Sequence, residues 1–213
     1  MSWSVIIPCC ILNEDLKAKF QKAYQSVGPF VQEIIVIENG SDELKGLADR
    51  YQFPNMIGYA AAVNEGLKHA TGDFILILNS DAELQEVDWV SRLSLRFAWD
   101  EKIGIVIPML KNDGEPQYTK QIVGPCWALR RETLDCIGPL RLEYGMGYFE
   151  DSDYYMEAKK EGWKVVAEEG VRVNHSGQST FKVAFSKETL DELFKKNYDY
   201  FNSKWHGKCP VLD

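Results

Sequence analysis

The sequence predicts an α/β fold in which helices cover both faces of a mostly parallel central sheet. Short apolar runs of strand length alternate with helix-permissive stretches through the first half of the chain, which is the pattern of repeated βα units. One apolar run, residues 74–78, is followed by the polar residues Asn79, Ser80, Asp81 and Glu83. Because open α/β sheets bind ligands at the carboxyl ends of their strands, this junction indicates a functional site.

The first half of the chain contains the regular alternation. Its predicted strands are residues 4–8, 33–38, 74–78 and 103–108, and its predicted helices are residues 14–26, 43–51, 60–70 and 87–99. The strands consist mainly of Val, Ile and Leu, as expected for a sheet that is covered on both faces. Pro8 ends the first strand. Gly28 with Pro29 breaks the first helix, and Gly72 is a stop signal for the third.

The second half is less regular. Its predicted strands are residues 122–129, 164–167 and 171–173, its predicted helices are residues 130–137, 150–161 and 186–205, and residues 111–116 form a turn or loop. The last helix is amphipathic, and its apolar side consists of Leu190, Leu193, Phe194, Tyr198 and Phe201. A length of 213 residues predicts one domain, either a complete small protein or one domain cut from a longer chain.

Composition limits the partners and the compartment. A hydrophobic fraction of 45% and a charged fraction of 26% are those of a globular chain, and a net charge of −8 argues against binding to nucleic acid. The five cysteines are odd in number and contain no Cys-x-x-Cys pair, so reduced thiols in a cytoplasmic protein are expected. No signal peptide or transmembrane segment is predicted, and any membrane association would be peripheral.

Several segments, taken in order, are typical of one enzyme family. They are residues 4–8, residues 35–41 with Asn39-Gly40-Ser41, residues 58–81, and residues 124–153 with Glu150-Asp151, followed by His175. In these segments the chain resembles the family 2 glycosyltransferases of the GT-A fold, especially the rhamnosyltransferase-like subgroup. The resemblance covers roughly residues 3–180, and its specificity lies in the ordered set of segments.

The resemblance implies both architecture and activity. It implies a Rossmann-like GT-A fold with a nucleotide-sugar-binding half at residues 1–110, an acceptor and catalytic half at residues 111–185, and a C-terminal helix and tail at residues 186–213. The implied reaction transfers a hexose or deoxyhexose from a UDP- or dTDP-sugar to a hydroxyl of a glycan or glycoconjugate, assisted by Mn²⁺ or Mg²⁺. Inversion at the anomeric carbon is favoured, and a retaining mechanism stays open.

Asp81 is the predicted metal ligand, because carboxylate oxygens suit a divalent cation that bridges a diphosphate. Glu83 is a weaker candidate, and the resemblance places His175 near the metal or the diphosphate. The chain departs from the family here, since Asn79 occupies the position of the first carboxylate in the usual Asp-x-Asp motif. By resemblance, the predicted nucleotide-binding residues are Pro8, Glu38, Asn64 and Ser80.

Asp151 is the predicted general base, because sugar transfer with inversion needs a carboxylate that removes the proton of the acceptor hydroxyl. Glu150 is the other member of the family's Glu-Asp pair, and Asp153 could serve as the base instead. Trp127 and Asp153 are predicted to line the donor or acceptor pocket. The glycine-bearing segment 144–149 could close over the acceptor.

Every assignment has a structural alternative. Asp81 could cap a turn, Glu83 could be a solvated charge, and adjacent acids at a helix start stabilise the helix dipole. Trp127 on a strand is more often a core residue. Two other functions stay open: a non-catalytic module that binds a nucleotide-sugar or glycan, and a sugar-phosphate nucleotidyltransferase. The second lacks support, because no glycine-rich basic loop follows the first strand.

Overall fold

The computed structural model describes residues 1–112, 115–116, 124–177 and 179–213. Its strands are β1 (Trp3–Cys9), β2 (Glu33–Asn39), β3 (Arg50–Phe53), β4 (Phe74–Leu78), β5 (Ala82–Leu84), β6 (Ile103–Asn112), β7 (Glu115–Pro116), β8 (Cys126–Arg130) and β9 (Lys164–His175). Its α-helices are α1 (Glu14–Val27), α2 (Tyr59–His69), α3 (Trp89–Ala98), α4 (Arg131–Ile137), α5 (Glu150–Lys160), α6 (Ser179–Ala184) and α7 (Lys187–Trp205). A short 3₁₀-helix, Leu142–Tyr144, precedes α5.

The described strands form one sheet in the order β3-β2-β1-β4-β8-β6-β9-β5, and β7 pairs with β6. β1 is parallel to β2 and β4, β2 is parallel to β3, and β6 is parallel to β9. β8 is antiparallel to both β4 and β6, and β5 is antiparallel to β9. The predicted α/β class with a mostly parallel sheet is confirmed. The carboxyl ends of β1, β2 and β4 therefore meet at one edge.

Helices cover both faces of the sheet because side chains along a strand point alternately to opposite sides. Val5 and Ile7 of β1 belong to a core cluster with the buried residues of α1 and α3. Ile6, between them, belongs to a second cluster with the buried residues of α2 and α5. The central strands are completely buried, which explains their nearly continuous apolar sequences.

The predicted helix at residues 43–51 is wrong. In its place a loop leads into β3, which pairs in parallel with β2 from Val36 opposite Arg50 onward. The cause is the buried carboxylate of Glu38, which accepts hydrogen bonds from the backbone N–H groups of Glu43 at 2.6 Å and Leu44 at 3.3 Å. These contacts hold the chain in a loop that no local pattern indicates.

The two strands predicted at residues 164–167 and 171–173 are one strand, β9. Its register with β6 shifts between Pro108, opposite Glu168, and Met109, opposite Arg172. The acidic and glycine residues in this interval form an irregularity within one continuous strand, although their composition is that of a turn. The prediction also missed β5 and α6, which have three and six residues.

The turn predicted at residues 111–116 and the start of the strand predicted at residues 122–129 include residues outside the described ranges. None of the described helices combines the length and the apolarity needed to span a membrane.

Candidate active site

A cavity of about 460 Å³ opens at the edge of the sheet where β1 and β4 end. Its walls come from the ends of β1 and β4, the segment before β8, the start of α5, the end of β9, and helices α6 and α7. The residues that line the cavity include Pro8, Asn79, Ser80, Asp81, Gly124, Tyr148, Phe149, Glu150, Asp151, Ser152, His175, Phe194, Tyr198 and Asn202. The sheet thus brings together strand ends that are distant in sequence.

One wall of the cavity carries Asp81 and His175. The N–H of Asn79 donates to the carbonyl of Pro125 at 2.8 Å, which holds the chain directly after β4. β5 then pairs antiparallel with β9 so that Ala82 lies opposite His175. As a result, Nε2 of His175 lies 3.1 Å from Oδ1 of Asp81. The prediction placed His175 near the metal or diphosphate site, and the structure places it beside Asp81.

Asp81 is a charged group in this environment. Its Oδ2 also accepts from the N–H of Ser179 at 3.2 Å, at the start of α6. Burial alone raises the pKa of Asp81, but the interaction with His175 and the N–H of Ser179 outweigh burial and hold that pKa below its ordinary value. Asp81 is therefore ionised at neutral pH.

The pair of Asp81 and His175 fits a cation site that a substrate completes. Among the described residues no group of three or more His, Cys, Asp or Glu side chains is arranged to hold a metal. Mg²⁺ in nucleotide enzymes is commonly bound by one or two protein carboxylates, with phosphate and water as the other ligands. Asp81 supplies one carboxylate of such a donor set, and His175 is a nitrogen donor in contact with it. Glu83 is not among the lining residues.

Another wall carries Glu150 and Asp151, the first two residues of α5. A methyl group added at Gly124 would lie 2.3 Å from Oδ2 of Asp151, so glycine at this position lets the carboxylate pack against the backbone. The N–H of Ser152 donates to Oδ1 of Asp151 at 2.6 Å. Oε2 of Glu150 is buried and has no hydrogen-bond partner among the described residues.

Both carboxyl groups on this wall hold protons more strongly than free carboxyl groups do. Burial raises the pKa of Glu150, and the neighbouring charge of Asp151 raises it further. Burial also raises the pKa of Asp151, against the hydrogen bonds from Ser152 that lower it. A carboxylate with a raised pKa is a more effective general base near neutral pH.

Two of the four predicted nucleotide-binding residues line the cavity, and the other two do not. Pro8 and Ser80 line the cavity. Glu38 does not, and its fully buried carboxylate binds Nε of Arg50 at 2.6 Å in addition to the loop N–H groups. Asn64 also lies outside the lining, and its amide exchanges two 2.8 Å hydrogen bonds with the backbone of Leu140. Glu38 and Asn64 therefore hold the backbone around the cavity.

The predicted pocket positions of Trp127 and Asp153 are corrected by the structure. Trp127 is 0% exposed, packs in the core against Tyr154 and Tyr155, and is not among the residues that line the cavity. Asp153 is also buried, and its carboxylate binds Nζ of Lys204 at 2.7 and 2.8 Å. It ties α5 to α7 on the side away from the cavity lining.

Asn197 is a positioning residue that the sequence reasoning missed, and it lies behind the cavity lining. It is 1% exposed, and its Nδ2 donates to the carbonyl oxygens of Tyr144 at 2.7 Å and Gly147 at 2.6 Å. The held segment ends with Tyr148 and Phe149, whose φ angles of 71° and 73° are unusual for bulky residues. A polar residue within the apolar stripe of the last helix was the available signal.

Solved structures with the same fold have low sequence identity to this chain. GalNAc-T7 with UDP, GalNAc and Mn²⁺ is 17% identical with a TM-score of 0.67, and the match covers 82% of this chain and 43% of that chain. The mannosyltransferase PcManGT from Pyrobaculum calidifontis, with GDP-Man and Mn²⁺, is 18% identical with a TM-score of 0.63, covering 82% and 56%. S. aureus TarS 1–349 with UDP-GlcNAc is 15% identical with a TM-score of 0.66, covering 87% and 62%.

These likenesses show a GT-A fold, and the chain spans less than two thirds of each of the three structures. No curated protein matches the sequence. The sequence model described as glycosyl transferase family 2 matches residues 4–135, which is more than half of the 213 residues. The chain therefore belongs to glycosyl transferase family 2.

Proposed function

We propose that the chain is an inverting glycosyltransferase that moves a hexose or deoxyhexose from a UDP- or dTDP-sugar to a hydroxyl of a glycan or glycoconjugate. The observation that carries the proposal is one cavity in which an ionised Asp81 with His175 forms one wall and the carboxyl pair of Glu150 and Asp151 forms another. Family membership supports the reaction class, and the nucleotide-sugars in the neighbouring structures support the donor class.

The donor would bind against the strand ends. In this proposal residues 1–110 form the donor half and residues 111–185 the acceptor half. Pro8 and Ser80 would contact the nucleotide, while Asp81 and His175 would hold Mn²⁺ or Mg²⁺. When bound, the cation would neutralise the charge that develops on the departing diphosphate. Mn²⁺ in two of the neighbouring structures supports this choice.

Asp151 would act as the general base. The acceptor oxygen forms a bond to the anomeric carbon as the bond from that carbon to the diphosphate breaks, and the nucleoside diphosphate leaves with the electron pair. The hydroxyl proton moves to a carboxylate oxygen of Asp151. Because Glu150 is buried beside Asp151, it stays protonated to higher pH, and the negative charge of the pair lies on Asp151.

Two finer assignments belong to the same proposal. The ordered segments of the sequence support the rhamnosyltransferase-like subgroup, and hence a deoxyhexose such as rhamnose among the donors to be tried. The free cysteines, three of which are buried, support a reducing, cytoplasmic setting, with membrane contact at most peripheral.

The first test is binding of a donor panel. Thermal shift and calorimetry would compare UDP-, dTDP- and GDP-sugars, with and without Mn²⁺, on the wild type, Asp81→Ala and Glu83→Ala. We expect one donor class to stabilise the wild type in the presence of Mn²⁺, and Asp81→Ala to lose that stabilisation. Glu83→Ala is expected to bind like the wild type; an equal loss would return Glu83 to the metal site. Stabilisation by no donor would contradict the proposal.

The second test follows the product by NMR. Inversion predicts that the new glycosidic bond has the opposite anomeric configuration to the donor. Retention of configuration would remove the proposed role of Asp151. Donor binding without transfer or hydrolysis, unchanged by Asp151→Asn, would indicate a non-catalytic module, and pyrophosphate release from a nucleoside triphosphate and a sugar phosphate would indicate a nucleotidyltransferase.

A further inference from the structure

Helix α7 carries two partly exposed aromatic rings at the cavity. Phe194 is 48% exposed and Tyr198 is 46% exposed, although both line the cavity. They stand one helical turn apart, and their rings are nearly parallel, with 7° between the planes and 6.3 Å between the centroids. Exposure of apolar ring surface to water is unfavourable, so two adjacent exposed rings are typical of a surface to which another molecule binds.

The aromatic pair is continuous with the carboxyl wall. Phe149, the residue before α5, contacts the ring of Phe194 at a centroid distance of 5.1 Å and the ring of Tyr198 at 5.8 Å. Asp151 follows two residues later. Phe149, Asp151 and both rings line the same cavity, so a molecule that lies on the rings shares that cavity with the carboxylate proposed as the base.

The wall around the rings is amphipathic. Asn202 of α7 and Ser152 of α5 line the same cavity and supply polar groups, and Tyr198 adds its own hydroxyl. A pyranose ring has matching chemistry, because one face presents weakly positive C–H groups that suit the negative face of an aromatic ring, while the rim carries hydroxyls. An aliphatic chain would leave the polar groups without partners.

We propose that Phe194 and Tyr198 form the acceptor subsite, on which the sugar that supplies the attacking hydroxyl stacks its apolar face. This inference rests on the proposed glycosyltransferase function and specifies its acceptor as a glycan with a pyranose at the reacting end. The polar groups at the edge of the rings would select among the hydroxyl configurations of that sugar.

Saturation-transfer NMR on the full chain tests the subsite. The probes are methyl β-D-galactopyranoside, methyl β-D-glucopyranoside, methyl α-D-mannopyranoside and methyl α-L-rhamnopyranoside, added with Mn²⁺ and the donor's nucleoside diphosphate. In the wild type we expect one glycoside to receive saturation mainly on the C–H groups of one ring face. Phe194→Ala and Tyr198→Ala are each expected to weaken its binding by about three- to tenfold. Binding of the nucleoside diphosphate should stay unchanged.

Two further variants make the result specific. Trp99→Ala removes an aromatic ring that is 78% exposed and lies outside the cavity lining, and it should leave glycoside binding unchanged. Phe194→Leu keeps apolar volume without a ring face, and it should lose affinity as Phe194→Ala does. Unchanged affinity in Phe194→Leu, with displacement of the glycoside by a prenyl phosphate, would overturn the proposal in favour of an aliphatic ligand.

The subsite and the proposed function fail in different ways. If the nucleoside diphosphate binds with Mn²⁺ but no glycoside receives saturation, the subsite is overturned and the donor site stands. If neither binds, the proposed function itself is overturned. Thermal unfolding of each variant shows that the loss is not a loss of fold, which is expected because both rings are already half exposed.

Discussion

The acidic walls of the cavity use the same kind of side chain in opposite electrostatic settings. Asp81 contacts an imidazole and a helix N–H, and its pKa is lowered. Glu150 and Asp151 form no ion pair with any described residue, and burial raises both pKa values. The same type of group is therefore held ionised on one wall, whereas the carboxyl groups on the other wall gain a proton at higher pH than free carboxyl groups do.

The largest expected effect of a single substitution is that of Asp151→Asn. An amide cannot take the proton of the acceptor hydroxyl, so kcat should fall about 10²- to 10⁴-fold. Donor binding should stay close to that of the wild type, because the amide leaves the Asp81 wall intact. Steady-state transfer assays combined with donor titration by calorimetry would measure both quantities.

Asp153→Asn is the matched control for that variant, because the two residues lie in the same acidic run. Asp153 binds Lys204 and Trp205, so its loss should lower stability while the folded variant keeps kcat within about threefold of the wild type. A large fall in kcat for Asp153→Asn, with Asp151→Asn active, would exchange the roles of the two residues.

The next effect concerns the segment that positions the carboxyl wall. Asn197→Leu removes the two donors that hold the carbonyls of Tyr144 and Gly147. We expect kcat to fall about tenfold, with little change in the donor KM, because misplacement of a catalytic group is costly. The acidic limb of the kcat profile should move to lower pH, since a looser segment lets water reach Asp151 and reduces the effect of burial.

A purely structural role for Asn197 would lower the unfolding temperature and leave the pH profile where it was. Asn197→Gln, which keeps the donor group on a longer side chain, should recover part of kcat and of the profile. If Asn197→Gln recovers no kcat and the pH profile of Asn197→Leu is unshifted, Asn197 contributes only to the stability of the fold.

Removal of the charge of Asp81 should lower the free energy of unfolding. Asp81 has a lowered pKa in the folded protein, so its contribution is present above the unfolded value of about 3.9 and is lost as pH falls through the folded value. Asp81→Asn should therefore destabilise the protein by about 1–3 kcal/mol at neutral pH, and the difference should vanish in strongly acidic solution. Denaturant unfolding across that range measures it. If the difference in stability does not depend on pH, the pKa of Asp81 is not lowered in the folded protein.

The last predicted effect on stability has the opposite sign. Glu150 has a raised pKa, so its neutral form stabilises the fold at low pH, and that contribution is lost as pH rises through the folded value. Glu150→Gln should match the wild type below about pH 4, where Glu150 is protonated in both the folded and the unfolded state. At about pH 9, where the wild type buries a charged carboxylate, the variant should unfold at a higher temperature than the wild type. A lower unfolding temperature at alkaline pH would remove the contrast between the two walls.

The sequence located the parts of the site that depend on local pattern. The strand before Asn79 and the acidic start of α5 are visible because apolar runs and helix starts are local features. The polar residues that follow β4 were therefore placed correctly at the carboxyl end of a strand. The sequence does not show which of these residues face the cavity, because their orientation depends on the pairing of β5 with β9. Glu83, which was predicted as a metal ligand, is not among the lining residues.

The missed features depend on contacts across the chain. Glu38 was predicted to bind a nucleotide, but its carboxylate is occupied by Arg50 and loop N–H groups that no periodicity indicates. Trp127 was predicted to line a pocket from the family resemblance, whereas the structure buries it completely, as the alternative of a core residue on a strand has it. The apolar side of α7 was predicted from the sequence. Its half-exposed position at the cavity was not predicted, because amphipathicity does not show which part of the molecule that side of the helix faces.

The antiparallel pairing of β5 with β9 has a consequence for how the protein folds. The contact between Asp81 and Ser179 joins groups that are 98 residues apart along the chain. Closing so long a loop costs chain entropy before the contact is formed, so we expect this junction to form late in folding. A nascent chain that has been released as far as β5 already contains Asp81 but lacks His175 and Ser179, so Asp81 acquires its partners only after synthesis has passed β9 and the start of α6.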